Sequence, residues 1–443
     1  MGGVVGILCV LFWVIWDRIF LYFALFKTIN FCHNILSIIF ISILWTGLEY
    51  VRGTLGSGFP WYPLAITQTN NTGVLQVISW GGTSFLSFLI VFVNASFAFA
   101  ILRIIARFKD RVTLRFNPEL LLGLLVLLGT LIGGMSNLRF FRTQMQNCRQ
   151  ARVSVVQPNI PQLKKWSKDF IDYIYSTIAD YSLLAMVGKP DLVILPETCI
   201  PNVLPLEEDG MEFVYKLVEK GGVPLLIGAL EDAGLDNEDC YNSSFLVQGR
   251  EFPLLRYRKQ HLVPFGEYLP LASKIKWIHD LAPLGFNCVA GSEATILNIT
   301  DKNMPFAVLI CFEDVMAYLA RKAVRSGAGF LVNQTNDAWF DRSRASFQHM
   351  HHSILRCVEN RVGMVRSANT GISCYINPVG EVVEQLAGDN GKTQIGGFIS
   401  CAVDIRDPSW GYTFYTKYGD CLLYTSDAAD DLLCVDLGGR RII

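Results

Sequence analysis

The chain has 443 residues, 51% hydrophobic and only 17% charged, with a formal net charge of −1 and a mean hydropathy of +0.34. Soluble domains carry about 25% charged residues, so this is membrane-protein composition, and the length suggests two or more domains. The near-neutral charge, with no Lys/Arg stripe carrying interleaved aromatics, argues against a nucleic-acid partner.

Residues 1–136 hold the apolar stretches. "GVVGILCVLFWVIW" (3–16) runs into "DRIFLYFALF" (17–26), either one span with a charged pair in its middle or two shorter elements. Next come "NILSIIFISILWTGLEY" (34–50), "FLSFLIVFVNASFAFAIL" (85–102) and "LLLGLLVLLGTLIGGM" (120–135). Runs of about 17–25 apolar residues match a bilayer core, which gives about four spans. A cleavable signal peptide fits poorly, because no basic region precedes the first run and further spans follow it. The loop "RIIARFKDRVTLRFN" (103–117), with Arg103, Arg107, Lys109, Arg111 and Arg115, is the densest basic loop and is predicted to be cytoplasmic. The span at 120–135 then exits, placing everything after about residue 137 outside. Arg139, Arg142, Arg149 and Arg152 point the other way, but they lead into a long domain, and long domains translocate largely regardless of charge.

Residues 150–410 read as an α/β domain. Apolar, β-rich runs ("ARVSVVQ", "DLVILP", "VPLLIGAL", "SSFLVQ", "FAVLIC", "GFLVNQ", "ISCYINP") alternate with helical spacing in "KDFIDYIYSTIADYSLLAMV" and "FQHMHHSILRCVENRVGMV", the pattern of a layered α/β sandwich. There is no GxGxxG or P-loop, and no cofactor is implied. "HMHH" (349–352) lacks a partnering HExxH pattern or cysteine pair, so it is read as a solvated or helix-capping cluster rather than a metal site.

Three strand ends deliver ionisable residues out of apolar context: Glu197 in "DLVILPETCIP", Lys259 in "FPLLRYRKQHLVPFGEYLP" and Cys311 in "FAVLICFED". Functional groups gather beyond strand ends in α/β sheets. Singly, each has a plain explanation: a surface acid, a member of a basic cluster with Arg256 and Arg258, a core thiol. Together they make a machine. A thiol becomes a useful nucleophile when a cation lowers its pKa or a base takes its proton. Glu197 is the expected base and Lys259 the cation, and the Lys259 ammonium with the Phe312 N–H is the expected oxyanion site.

The order and wording of these motifs resemble the nitrilase (carbon–nitrogen hydrolase) superfamily, whose triad runs Glu–Lys–Cys along the chain. "YVRGTLGSGFPW" (50–61), "VQPNIPQLKKW" (156–166), "LPETCIP" (195–201), "YNSSF" (241–245), "YRKQHLVPFGEYLP" (257–270), "CFED" (311–314), "NQTNDAWF" (333–340) and "VRSANTGIS" (365–373) look like the apolipoprotein N-acyltransferases within it, over roughly residues 1–420. The resemblance implies a multi-span α-helical membrane bundle plus an α/β nitrilase-like αββα sandwich. It also implies transfer of a fatty acyl chain from a phospholipid donor, through a Cys thioester, to the N-terminal amine of a diacylglyceryl-apolipoprotein acceptor. Membrane lipid is then a partner, and the site is a bacterial inner membrane with the catalytic domain on the periplasmic side. Carried over, Cys311 is the nucleophile, Glu197 the general base and Lys259 the residue that polarises the tetrahedral intermediate. Glu267 positions Lys259, and Glu313 supports the site beside the thiol. Trp166 matches a position implicated in function, or is an ordinary packed aromatic. Trp277 and Phe286 in "WIHDLAPLGF" suggest a lid meeting lipid. Two other readings stand beside this one: a membrane-tethered amidase or nitrilase using water as acceptor, and a non-catalytic scaffold binding lipoproteins. The family has more spans than the four counted, including one after the catalytic domain. The chain is therefore expected to begin partway into the bundle. Its tail 421–443, "CLLYTSDAADDLLCVDLGGRRII", reads as a non-native replacement of the last span. Eight cysteines from Cys148 to Cys401 fall in the expected outside domain, where an oxidising compartment permits disulfides; their pairing is open.

Overall fold

The computed structural model describes residues 31–109, 117–162, 165, 168–234, 239–250, 254–270, 287–341, 343–388 and 391–420. The first apolar stretch (3–26), Trp166, Trp277, Phe286 and the tail 421–443 lie outside the described residues. Two compact units form, Met1–Thr46 with Phe88–Gly129, and Gly47–Ser87 with Thr130–Ile443.

Three helices among the described residues are long and apolar enough to cross a membrane: α1 (Phe31–Thr54), α2 (Ile78–Lys109) and α3 (Pro118–Met145). At 1.5 Å per residue even the shortest reaches about 36 Å, more than the roughly 30 Å of a hydrocarbon core. They match three of the four expected spans; the fourth falls on residues 3–26. Their outward apolar side chains (Leu36, Phe40, Ile43, Leu125, Leu128, Ile132) are exposed, a surface that suits lipid rather than water. In the first unit, Arg103 pairs with buried Glu119, which also accepts from Asn34 Nδ2 at 2.8 Å. Buried polar groups are expected to find such partners. In α2 the helix breaks at Gly81 and Gly82. Gly82 has φ +74°, and a Cβ there would sit 2.6 Å from the Tyr415 ring, so glycine is required by both backbone and space.

The second unit carries two sheets. The strands are β1 (Gln150–Gln157), β2 (Leu192–Ile194), β3 (Leu225–Asp232), β4 (Asp239–Val247), β5 (Leu255–Arg258), β6 (Asn287–Cys288), β7 (Ile296–Ile299), β8 (Met304–Ile310), β9 (Phe330–Thr335), β10 (Gly363–Ala368), β11 (Cys374–Ile376), β12 (Val382–Gln385) and β13 (Gly397–Asp404). Among the described residues the first sheet runs β13-β1-β2-β3-β4-β5 with β6 on β4, and the second β12-β11-β10-β9-β8-β7. β1, β2 and β3 are parallel, as are β8, β9 and β10. Val153, Val155, Ile194 and Leu226 of the first sheet meet Phe306, Val308, Phe330 and Val332 of the second in one dry layer. Helices α4 (Ile171–Met186) and α5 (Glu208–Gly221) cover the first sheet's other face through Ile174, Ile178, Val214 and Leu217. Helices α6 (Ala317–Arg325) and α7 (Ala345–Asn360) pack on the second sheet. The result is the expected αββα sandwich.

All seven apolar runs singled out in the sequence are strands. The helical spacing read through residue 365 stops earlier: α7 ends at Asn360, Arg361 turns left-handed at φ +52°, and β10 begins at Gly363. The His cluster is not solvated either, since His349 and His352 are buried. A helix packed on a sheet turns its inward side chains into the core whatever their polarity, provided they find partners.

β3 passes beneath the turn that follows β2 at Gly228. A Cβ there would lie 2.5 Å from Pro196 O, 2.6 Å from Thr198 N and 2.8 Å from Glu197 Cα. Gly228→Ala should therefore force the Glu197 turn outward, lowering stability by about 1–3 kcal/mol and activity with it. Thermal denaturation and turnover of the variant check this; an unchanged pair of values would mean the turn has slack that the backbone distances deny.

Candidate active site

Glu197, Lys259 and Cys311 converge from three strand ends. Glu197 lies in the turn after β2, Lys259 directly after β5, and Cys311 directly after β8, opening a short 3-10 turn, Cys311–Asp314. Strand geometry resolves the basic run around Lys259. Side chains alternate between faces, so Arg256 and Arg258 point one way and pair with Glu231 at 3.2 and 2.6 Å. Tyr257 points the other way, its O–H donating to Glu313 at 2.9 Å.

The Lys259 ammonium is 1% exposed, 2.8 Å from Glu267 Oε1 and 3.5 Å from Glu197 Oε1. Asn242, on β4, ties the two acids together: its Nδ2 donates to Glu197 Oε1 at 2.8 Å and to Glu267 Oε1 at 2.9 Å. The Lys259 N–H in turn donates to Asn242 O at 2.9 Å. Burial works against the ammonium, but Glu267 and Glu197 outweigh it and hold Lys259 well above its usual value. Burial likewise disfavours the Glu267 carboxylate, and Lys259 overrides it, lowering that acid. Lysine here is a fixed cation.

Cys311 is half-buried, with φ +51°. Thr198, next to Glu197, is also left-handed at φ +41°. Both are non-glycine residues in sparsely populated backbone regions, strain that clusters at functional sites and that surrounding structure must impose. Asn333 Nδ2 imposes it at Cys311, donating to Cys311 O at 3.0 Å and Leu309 O at 3.1 Å. Burial and the Glu197 charge push the thiol above its ordinary value, while Lys259 and a hydrogen bond from Thr335 pull it down. The resting thiol is protonated.

Glu313, expected to support the site beside the thiol, is fully buried and clamps the turn that carries Cys311. It accepts from Ile310 N at 2.7 Å, Gln260 N at 2.7 Å and His261 N at 3.0 Å, besides Tyr257. Burial pushes it up to about 7 against those donors. One carboxylate thus joins the Cys311 turn to the Lys259 loop.

Sequence reasoning missed a second layer. Asp314 accepts from His349 Nε2 at 2.8 Å and from Arg366 Nη1 at 2.6 Å, and His349 Nδ1 lies 2.9 Å from Asp337. Burial works against the His349 cation, but Asp314 and Asp337 raise it to about 9. Burial also opposes the Asp314 charge, and His349 with Arg366 holds it well below the usual carboxylate range. Arg366 in "VRSANTGIS" and Asp337 in "NQTNDAWF", charged residues inside motifs already singled out, were the available signal. Lys165, also missed, is buried with Nζ 2.6 Å from Thr198 Oγ1 and 3.2 Å from Glu197 O, and burial lowers it to about 8. The loop at 59–61 supplies an aromatic wall: Trp61 stacks on Phe312 at 5.9 Å and 7°, and Phe59 stacks on Phe312 at 5.9 Å and 9°. Among the described residues no cluster of His, Cys, Asp or Glu is arranged to hold a metal.

His349 gains its proton's stability from folding. That contribution is fully present below its unfolded value of 6.5 and is lost as pH rises through about 9. The difference corresponds to about 2–4 kcal/mol. The Tm of the full chain in detergent should fall across pH 7–10, and His349→Gln should flatten that slope. Parallel slopes in the two proteins would mean His349 is neutral in the fold.

Residues 152–402 match the model of the carbon–nitrogen hydrolase family, and residues 1–96 that of the apolipoprotein N-acyltransferase N-terminal domain. The apolipoprotein N-acyltransferase of Geobacter metallireducens is 33% identical over 390 residues, covering 85% of this chain and 70% of the relative. That of Nitrosomonas europaea is 32% identical over 87% of this chain and 71% of its own, and that of Haemophilus influenzae 28% over 91% and 75%. Among solved structures, a mutant Nesterenkonia amidase of the nitrilase superfamily aligns with a TM-score of 0.45 at 14% identity, over 65% of this chain and 98% of its own. Saccharomyces cerevisiae Nit3, of the same superfamily, aligns at 0.44 and 19%, over 63% and 97%. The chain belongs to the apolipoprotein N-acyltransferases, enzymes built on a carbon–nitrogen hydrolase domain.

Proposed function

We propose that the chain N-acylates lipoproteins through a thioester on Cys311, with a phospholipid as donor. The observation that carries this reading is the buried Lys259 ammonium held between Glu197 and Glu267, with Cys311 within the same electrostatic field. As Cys311 Sγ attacks the phospholipid ester carbonyl, Glu197 takes the thiol proton. The oxyanion that forms is held by the Lys259 ammonium and the Phe312 N–H. Collapse expels the lysophospholipid alkoxide, which Glu197 protonates. The acyl thioester then waits for the N-terminal amine of a diacylglyceryl-cysteine. Glu197 accepts the proton of that amine as it attacks, and collapse returns the thiol. Because the resting thiol is protonated, deprotonation accompanies attack, so no reactive thiolate stands in the site between turnovers.

Transfer is favoured over hydrolysis by the aromatic wall. Phe59 and Trp61 belong to the segment between α1 and α2, yet they stack directly on the residue that follows Cys311. Phe59, Phe265 and Trp339 present exposed aromatic faces. Such apolar surfaces suit an acyl chain and shield a thioester from water, a provision that an amidase using water as acceptor has no need of. The same reading puts the α/β domain on the periplasmic side of the inner membrane, in line with the basic loop at 103–117. It also assigns 1–136 to membrane spans and 150–410 to catalysis.

Protein incubated with phospholipid alone should accumulate one hydroxylamine-sensitive acyl group on Cys311, read by peptide mass spectrometry, and steady-state kinetics should be ping-pong. Lys259→Met should still fold and insert but lose at least about 10²–10³ in rate, the usual cost of one oxyanion donor. Acyl label on another residue, or near-normal turnover in Lys259→Met, would remove that residue from the mechanism.

A further inference from the structure

Outside the reacting groups lies a pair of cysteines. Cys240, on β4, and Cys288, on β6, are register partners in a parallel pairing. Adjacent strands run about 4.8 Å apart, within the Cα separation of about 4.4–6.8 Å that a disulfide accepts. The two sulfur atoms are 3.6 Å apart, in van der Waals contact. Both side chains are buried, packed with Leu230, Val203 and Leu262 in a small apolar cluster. Each sulfur has the other as its hydrogen-bonding neighbour. The surrounding backbone is already fixed on both sides: Val289 N donates to Cys240 O at 2.8 Å, and Cys288 N to Glu267 O at 2.8 Å.

We propose that Cys240 and Cys288 form a structural disulfide. The bond is made as the domain folds, before the thiols are buried, by exchange with a protein or small-molecule disulfide. One thiolate attacks that reagent to give a mixed disulfide and releases one of its sulfurs. The second thiolate then displaces the other, so the reagent ends as two thiol groups that carry the two electrons and two protons. The bond closes a loop of chain that contains Lys259 and Glu267. It lies two residues from Asn242, whose amide joins Glu197 to Glu267, and it fixes the strand whose N–H holds Glu267 O. Its effect is to restrict the unfolded chain and to hold the lysine loop against β4. The pairing stands on geometry; only the oxidising setting rests on the outward placement proposed above.

Full-length protein, isolated from membranes under N-ethylmaleimide and digested without reduction, should yield a Cys240–Cys288 cross-linked peptide. Reductant should lower its Tm by roughly 5–10 °C. The Cys240→Ser/Cys288→Ser variant should melt at the reduced value and be insensitive to reductant; if the variant does not fold, reduction of the wild-type chain gives the same comparison. Maleimide on both cysteines of the isolated protein, together with a Cys240–Cys288 cross-link when separate, unlabelled protein is refolded in oxidised glutathione, would uphold the pair and overturn the outward placement. Maleimide on both, with no cross-link in that unlabelled, glutathione-refolded protein, overturns the disulfide.

Discussion

A lysine ammonium taken wholly out of water, with carboxylates on two sides, is the interaction around which the second unit is arranged. An isolated buried cation costs several kcal/mol, and removing one partner of such a group costs more than the pair is worth. The fold therefore has to deliver both Glu197 and Glu267 to Lys259, and it does so from separate strand ends. Asn242 locks the two acids at a common distance. Gly228 lets β3 pass close enough for the Glu197 turn to reach in. Gly291 does the same for the other side: its N–H meets Lys259 O at 2.7 Å, and a Cβ would lie 2.6 Å from Arg258 O.

Cys311 lies within the field of this lysine but is held by different groups. Cys311 sits in a left-handed conformation that its own side chain does not favour. The last two residues of the same short turn, Glu313 and Asp314, are buried acids with separate sets of partners. Glu313 collects backbone N–H groups from the Lys259 loop, so a movement of one loop is felt by the other. Asp314 reaches into α7 and β10 through His349 and Arg366. A turn of four residues is thus tied into both the lysine loop and the helix layer. That is the kind of supporting shell that keeps a reacting atom within a fraction of an ångström of its working position.

The third element comes from the segment between α1 and α2. Its loop lays Trp61 and Phe59 on Phe312, and Trp61 Nε1 donates to Gln348 on α7 at 3.1 Å. Farther along, Gln76 accepts from Arg361 Nη1 at 2.6 Å and donates to Val379 O at 3.0 Å. Residues before and after the first unit's second half therefore build one body with the α/β domain. The segment between two long apolar helices thus supplies the aromatic rings that cover Phe312.

The sequence by itself determined that Glu197, Lys259 and Cys311 stand at strand ends, and where long apolar helices give way to alternating strands and helices. These are local properties: the length of an apolar run, the abruptness with which it ends in an ionisable group, and the period of two or 3.6 within it. What lay beyond it was everything set by contacts distant in the chain. The end of α7 at Asn360 was misread because the apolar spacing continues unbroken into β10, and only the left-handed Arg361 separates them. Asn242, His349 and Arg366 sit in plainly visible motifs, yet their tasks arise from partners 45, 35 and 52 residues away. Arg256 and Lys259 are near neighbours in a basic run, but only the pleat of β5 and the positions of Glu231 and Glu267 decided which charge is structural and which is turned toward the thiol. Chemistry was legible because it depends on residue type. Assembly was decided by the tertiary structure, because a buried charge is stable only where the fold brings its counter-charge.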